Sequence, residues 1–426
     1  MKLSLNKASI TSVGIFIFFM AMYSVGTISS FLVSWTFTLL LLVLACSLVL
    51  INHVVLKGRY ISSITVCWVI LSALCFLGVM RGGSITVFGF YALCLLLLLS
   101  SEKIPYDDLY HSMRWVKFFG LFFAFGCYWQ YLFPSQYYAY LYPLFGAGYQ
   151  DIIRRQFTFH KMCTGFTSQT AVTAQFIILG LMVVLYVYNQ RVTLRSKIVW
   201  IIELIFLFGA LLLTGKRSPL LNLGAALIVV DMITVKRSKK ASRLLEIILG
   251  VIVVMIVLSV IAPMFSESRN SIVRLFEYSF SSVEDIGEAS NGRFTLYGYA
   301  ISEFIRHPIF GIGWGKYSSL YDVAGTHNIY LQLLCECGVI GFLFAVASLV
   351  FALHKTIQML KKPNNEDKIK ALLKCSVFVQ VYILVYGLFG NPLYDQNYIL
   401  MYFSGLLIAS VCYFATRKNT IKEFVR

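Results

Sequence analysis

Long apolar stretches recur along most of the chain, and each is about as long as a helix that crosses a lipid bilayer. A hydropathy window of about 19 residues identifies twelve of them, and a spanning helix needs roughly 20 apolar residues. Their approximate bounds are 8–28, 31–52, 60–80, 84–100, 114–133, 169–188, 197–215, 218–235, 244–264, 329–353, 371–390 and 396–415. This pattern predicts an all-α polytopic membrane protein of about twelve helices, forming one integral membrane domain over residues 1–426.

The composition agrees with the apolar pattern. Hydrophobic residues make up 59% of the chain and charged residues only 13%, whereas a typical soluble domain has about 25% charged residues. The net charge of +17 does not indicate a nucleic-acid partner, because the basic residues are spread over short loops between apolar spans. The cysteines show no zinc-type spacing, and we expect neither a metal nor a cofactor.

The distribution of basic residues predicts the orientation in the membrane. With the N-terminus in the cytoplasm, 25 of the 36 Lys and Arg residues fall in cytoplasmic segments. The opposite orientation would place those 25 residues outside, against the positive-inside rule. We therefore expect both termini to be cytoplasmic.

Two outward-facing loops, 134–168 and 265–328, are too long to be simple connections. A transporter usually has short loops and polar residues near the middle of the membrane. Here the spans contain few charges, and the polar residues collect in these loops. The arrangement favours chemistry at the outer surface of the membrane.

The second loop contains a short series of recognisable features. Residues 293–306 show the apolar periodicity of an amphipathic helix, with Arg293 at its start, and Pro308 ends it. Gly311 and Gly313 follow, and Trp314 comes directly after them. The spacing of these glycines does not fit a dinucleotide-binding loop.

A histidine, an asparagine and a glutamate mark the start of the next span. His327 and Asn328 lie at the span's outer end. We expect Asn328 either to orient His327 or to cap the helix. Glu336 lies about two turns into the span, where a carboxylate is costly and often functional, although a structural hydrogen-bonding role is the alternative.

The order of these features resembles that of a known family. An arginine leads a helix that ends in P-x-F-G-I-G-x-G, and a His-Asn pair then opens a span reading L-x-x-x-x-E-x-G-x-x-G. This stretch, Arg293 to Gly341, is similar to the O-antigen ligase and polysaccharide polymerase family, which are bacterial membrane glycosyltransferases. The rest of the chain is similar only in its number of spans and its long outer loops.

The resemblance implies an enzyme of the bacterial cytoplasmic membrane. Such enzymes transfer a glycan from an undecaprenyl diphosphate carrier to a sugar hydroxyl at the outer face. The positions that match the family's functional arginines and histidine are Arg217, Arg293 and His327, with Lys216 where the family tends to have a serine.

The chemistry of these residue types fits that reaction independently. A lipid diphosphate leaving group requires positive charge rather than a general acid, and arginine grips phosphate in a bidentate manner. Histidine can orient or deprotonate a hydroxyl. Arg154 and Arg155 form part of a basic patch in the first outer loop that either contacts lipid headgroups or helps to bind the diphosphate.

The resulting hypothesis is a metal-independent polymerase that makes a capsular polysaccharide, exopolysaccharide or O-antigen. Its expected site comprises His327, Arg293 and Arg217 as catalytic residues, with Lys216, Arg154 and Arg155 at the diphosphate and Asn328, Gly311, Gly313, Trp314 and Glu336 in support. A flippase and a chain-length regulator are expected partners. The alternatives are an O-antigen ligase that uses lipid A core and, in a different class, a flippase or exporter of lipid-linked glycans.

Overall fold

The computed structural model describes residues 61–188, 193–235, 237–246, 292–323, 325–363 and 365–424, together with residues 43 and 249. All regular structure within these residues is helical. The longer helices are α1 (Thr65–Val79), α2 (Ile85–Leu99), α3 (Tyr106–Leu132), α4 (Ala147–His160), α5 (Thr170–Tyr186), α6 (Leu194–Leu213), α7 (Arg217–Thr234), α8 (Arg293–Arg306), α9 (Lys316–Tyr321), α10 (Ile329–Leu360), α11 (Asp367–Tyr386) and α12 (Gln396–Phe424).

Five of the described helices are long and apolar enough to cross a membrane: α6, α7, α10, α11 and the part of α12 from Gln396 to Arg417. The helices α1, α2 and α5 are also apolar but shorter. These eight helices overlap eight predicted spans, and α3 overlaps a ninth, 114–133. The all-helical, multi-pass class is therefore confirmed. The spans at 8–28, 31–52 and 244–264 lie almost entirely outside the described residues, so the count of twelve stays a prediction.

The chain divides into two compact units. Among the described residues, unit 1 holds 61–112 and 292–424, and unit 2 holds 113–246 and 249. In unit 1, α10 packs against α1, α11 and the outer-loop helix α8, while α12 packs against α11. Aromatic side chains fill the core of this unit, where Trp68 stacks on Tyr91 with ring centroids 5.0 Å apart.

The predicted topology assigns each segment between the helices of unit 1 to one of the two membrane faces. In the structure, segments assigned to the same face lie at the same end of the unit. At the outer end, Arg81 donates to the Phe310 carbonyl (3.0 Å). At the other end, the Ser410 hydroxyl bonds those of Ser101 (2.6 Å) and Ser62 (2.8 Å). These pairs are distant in sequence, so the alternation of spans predicted for this unit agrees with its packing.

Unit 2 contains the first predicted outer loop, which is largely helical. The loop includes α4 and then turns at Lys161, which has left-handed backbone torsions. The Cys163 N–H donates to the Leu213 carbonyl at 2.9 Å, so the end of this loop lies beside the end of α6. The turn between α6 and α7 follows immediately, and it carries Lys216 and Arg217.

Candidate active site

The helix α10 is broken at Gly338, and a loop from the preceding segment fills the break. Gly338 has φ 65° and ψ −176°, torsions that are essentially restricted to glycine. The N–H of Val339 donates to the Pro308 carbonyl at 2.8 Å, and a Cβ on Gly338 would overlap the Ile309 backbone. Residues 308–317, called the glycine loop below, are thus docked at the break through backbone contacts.

Glu336 holds the other half of the glycine loop. Its buried carboxylate accepts the N–H of Gly315 at 2.6 Å and the N–H of Tyr317 at 2.9 Å. It also accepts the hydroxyl of Tyr394. Burial and the neighbouring carboxylate raise the pKa of Tyr394 well above its usual value, so the hydroxyl stays protonated and donates. Glu336 is therefore a structural support of the loop.

A partly apolar cavity lies beside the glycine loop. Arg81 reaches over the loop and donates to the carbonyls of Phe310 and Gly311, at 3.0 Å each. The cavity has a volume of about 380 Å³. Besides Arg81, Gly313, Trp314 and Glu336, its wall is mainly apolar and includes Leu74, Leu77, Ile340 and Phe344. The cavity therefore combines one guanidinium group with a mainly hydrocarbon surface.

Trp314 anchors the glycine loop in the core of unit 1. Its buried ring stacks on that of Tyr394 with centroids 4.9 Å apart, and meets that of Tyr91 edge-on at 6.0 Å. The position of Gly311 has a similar cause, because a Cβ there would overlap the Glu336 carbonyl. Gly313 has φ 115°, which also favours glycine. The predicted supporting residues of this loop therefore fix its shape.

His327 lies in a strained segment, residues 325–328, called the histidine segment below. Its φ of 56° is left-handed and uncommon for a residue with a side chain; such strain often accompanies functional sites. Thr326 fixes the segment, because its hydroxyl donates to the Asn328 carbonyl (2.6 Å) and its N–H donates to Gln332 Oε1 (3.1 Å). Gln332 Nε2 in turn donates to Glu336 at 3.4 Å. One turn of α10 thus connects the histidine segment with the glycine loop.

Asn328 caps α10. Its side-chain oxygen accepts the N–H groups of Tyr330 (3.0 Å) and Leu331 (3.2 Å), as an N-cap residue does. The N–H of Ile329, the first residue of α10, donates to the Gly387 carbonyl at 2.8 Å. The capping role predicted for Asn328 is confirmed, and it places His327 next to the end of α11.

Arg293 lies near the same end of α11. It is the first residue of α8, is half-buried, and is close enough to Tyr386 to act on it electrostatically. Because Tyr386 precedes Gly387, the charge of Arg293 acts near the helix end that the residue after Asn328 contacts. The bounds of α8, Arg293–Arg306, agree with the helix predicted at 293–306.

The remaining predicted site residues belong to unit 2. Lys216 occupies the N-cap position of α7 and Arg217 its first turn, where helix N–H groups favour an anion. Arg154 and Arg155 are exposed on α4, and Arg155 forms an ion pair with Asp151 at 3.2 Å. The predicted set is therefore divided between two units, each with a basic part.

The sequence reasoning missed Arg81, Asn391 and Tyr394. Arg81 lies in a turn between two predicted spans, on the face that should carry few cations. A cation at such a position opposes the positive-inside bias, so the sequence did contain evidence for Arg81. Asn391 and Tyr394 follow α11 in a segment without a distinctive motif, and their contacts with residues 325–336 are non-local.

Comparison with known proteins agrees with this picture. Residues 202–346 match the family model described as O-antigen ligase. The match runs from α6 into α10 and includes Arg217, Arg293, His327 and Glu336. It confirms the predicted resemblance to the O-antigen ligase family over these residues. No curated protein matches the sequence significantly. The class is thus a multi-pass membrane protein, and the match points to a glycosyltransferase of the O-antigen ligase and polymerase type.

Proposed function

We propose that the protein is a polysaccharide polymerase that transfers a glycan from undecaprenyl diphosphate to a sugar hydroxyl of another lipid-linked repeat unit. The observation that carries the proposal is the match of residues 202–346, which include Arg217, Arg293 and His327, to the O-antigen ligase family model, together with the left-handed backbone of His327 just before α10. The products would be capsule, exopolysaccharide or O-antigen chains. The active site would face outward from the bacterial cytoplasmic membrane, with both termini in the cytoplasm.

The proposed reaction is a single substitution at the anomeric carbon. The acceptor hydroxyl oxygen forms the new glycosidic bond, and the bond between the anomeric carbon and the diphosphate oxygen breaks. Negative charge develops on the diphosphate, where Arg293 stabilises it. His327 orients the acceptor hydroxyl and takes its proton. Arg217 joins this proposal because it lies at a helix N-terminus and within the matched residues.

The cavity beside the glycine loop supports a lipid-linked donor. Its mainly apolar wall suits an isoprenoid chain, and Arg81 suits a phosphate. The helix α8 also exposes large apolar side chains, including those of Phe294 and Ile305, as a helix at a membrane surface does. A flippase that delivers the donor and a chain-length regulator are the proposed partners.

A reconstituted assay tests the proposal. Purified protein in nanodiscs is mixed with a synthetic undecaprenyl diphosphate-linked repeat unit, and products are followed by gel and mass spectrometry. We expect a ladder of lengthening lipid-linked chains, lost in Arg293→Gln and His327→Ala. Matched controls are Arg306→Gln and His307→Ala, since both residues are exposed near the other end of α8. Full activity in Arg293→Gln and His327→Ala would overturn the site.

The same assay separates the alternative functions. Product that forms only when lipid A core is added would identify an O-antigen ligase. Absence of any product, with movement of the lipid between leaflets, would identify a flippase or exporter.

A further inference from the structure

The end of α10 opposite the candidate active site carries a second cavity with a basic lining. Its volume is about 580 Å³, within the range of ligand pockets. Three cations line it, namely Lys355 from α10, Lys362 from the segment just after α10 and Arg417 from α12. Ser63, Tyr413 and Thr416 add hydroxyl groups. No carboxylate is among the described residues that line it, so these residues give the cavity a net positive charge.

The two lysines have no anionic partner among the described residues that would neutralise their charge. Lys355 Nζ donates to the neutral Gln358 side chain at 3.4 Å and lies 5.5 Å from the ring centre of Phe351. Neither Lys355 nor Lys362 takes part in any ion pair among the described residues. Placing two lysines without ion-pair partners among the described residues on one concave surface is unfavourable unless an anion is bound there. The lining therefore indicates an anionic ligand.

The position of the cavity along α10 indicates where that ligand comes from. The helical stretch from Gly338 to Lys355 is roughly 25 Å long at 1.5 Å per residue, close to the roughly 30 Å of a bilayer's hydrocarbon core. Since the glycine loop lies at one membrane boundary under the proposed topology, Lys355 lies at the other. Lipid phosphates occupy that level, and basic pockets between transmembrane helices are known sites for acidic headgroups.

We infer that this cavity binds the phosphodiester headgroup of an anionic phospholipid in the leaflet opposite the candidate active site. The phosphate contacts Lys355, Lys362 and Arg417, and the hydroxyl groups bond its remaining oxygens. The lipid would join the ends of α10 and α12. This inference does not depend on the proposed transferase activity, because it concerns the other end of unit 1.

Native mass spectrometry of the full-length protein in a neutral detergent tests the inference. The probes are phosphatidylglycerol, phosphatidylcholine and inorganic phosphate. We compare wild type with the pocket variant Lys355→Gln/Lys362→Gln and with a control, Lys361→Gln/Lys370→Gln. The control removes the same charge from residues of the same region that do not line the cavity. Unfolding temperatures without lipid check that both variants are folded.

We expect wild type and the control to bind phosphatidylglycerol in preference to phosphatidylcholine, and the pocket variant to bind it about tenfold more weakly. Equally weakened phosphatidylglycerol binding in the control variant would mean that the basic surface as a whole attracts the lipid, and would overturn the proposed site. Equal binding of phosphatidylcholine would do the same. Displacement of phosphatidylglycerol by millimolar inorganic phosphate would overturn the inference of a lipid site and would identify a general anion site. Should the double variant unfold, Lys362→Gln, at an exposed position, replaces it.

Discussion

Each unit contains a loop that is held by a buried polar side chain. In both loops this side chain accepts hydrogen bonds from two backbone N–H groups. In unit 2, Gln130 Oε1 accepts the N–H groups of Thr164 and Gly165, at 2.8 Å each. In unit 1, the Glu336 carboxylate accepts those of Gly315 and Tyr317. Each loop also contains a glycine with positive φ at the point of contact. The loop N–H groups are thus accepted by an amide oxygen in unit 2 and by a carboxylate in unit 1.

The difference lies in how completely each acceptor is used. Both oxygens of Glu336 are engaged, because the Tyr394 hydroxyl and Gln332 Nε2 add to the two loop bonds. Gln130 uses its oxygen alone, and its buried Nε2 has no partner among the described residues. Hydrogen bonds to a charged acceptor are roughly twice as strong as neutral ones, whereas burying an unpaired charge is costly. The acidic side chain therefore occurs at the position where more donors converge.

The largest effect should come from Glu336→Ala. It leaves the Gly315 and Tyr317 N–H groups and the Tyr394 hydroxyl without their acceptor, at about 1–3 kcal/mol for each buried donor. We expect a loss of about 3–5 kcal/mol in stability and loss of polymer synthesis. Nine described cysteines are free and buried, so a thiol-reactive dye reports the unfolding temperature. An unchanged temperature would show that the carboxylate does not hold the loop.

A smaller effect is expected for Gln130→Ala. Only one acceptor atom is removed, its bonds are neutral, and the unpartnered amide nitrogen leaves with it. We expect a destabilisation of about 2–3 kcal/mol, measured by the same dye. A fall in unfolding temperature as large as that of Glu336→Ala would contradict the proposed advantage of the charged acceptor.

The comparison also shows how much of the molecule can be predicted from its sequence. The apolar stretches, the bounds of α8 and the Asn328 cap are local features, so pattern and capping chemistry predict them. The break at Gly338 is different, because it lies within an uninterrupted apolar stretch. The backbone groups that fill it belong to residues 308–313, and no local pattern reveals that docking.

The contacts around the candidate site are non-local as well. Arg81 bonds carbonyl groups 229 and 230 positions away, and Tyr394 bonds Glu336 across 58 positions. A single sequence shows which residue types are present, but it does not show which of them pair in the folded protein. The division of the predicted basic residues between two units has the same cause, because it depends on how distant helices pack.

A third test exchanges only the charge of the acceptor in unit 1. Glu336→Gln keeps the shape and one oxygen, so one loop N–H retains an acceptor while the other faces an NH₂ group. We expect a destabilisation of about 1–2 kcal/mol, less than that of Glu336→Ala. Equal unfolding temperatures for Glu336→Gln and wild type would mean that the charge is unimportant here.

The last comparison concerns the positive-φ glycines of the two loops. A Cβ on Gly165 (φ 58°) would lie 3.0 Å from Cys127 N and 3.1 Å from Gly126 C, whereas a Cβ on Gly315 (φ 81°) meets nothing within 4 Å. Both Gly→Ala changes should cost about 1–2 kcal/mol for the left-handed backbone.

Only Gly165→Ala also pushes on neighbouring backbone, so it should lower the unfolding temperature more than Gly315→Ala. Gly315→Asn should be milder still, because asparagine tolerates left-handed torsions, whereas Gly165→Asn keeps the steric conflict. Equal losses for Gly165→Ala and Gly315→Ala would mean that torsion alone requires glycine in both loops. An unequal loss would mean that unit 2, with its weaker acceptor, relies more on close backbone packing to hold its loop.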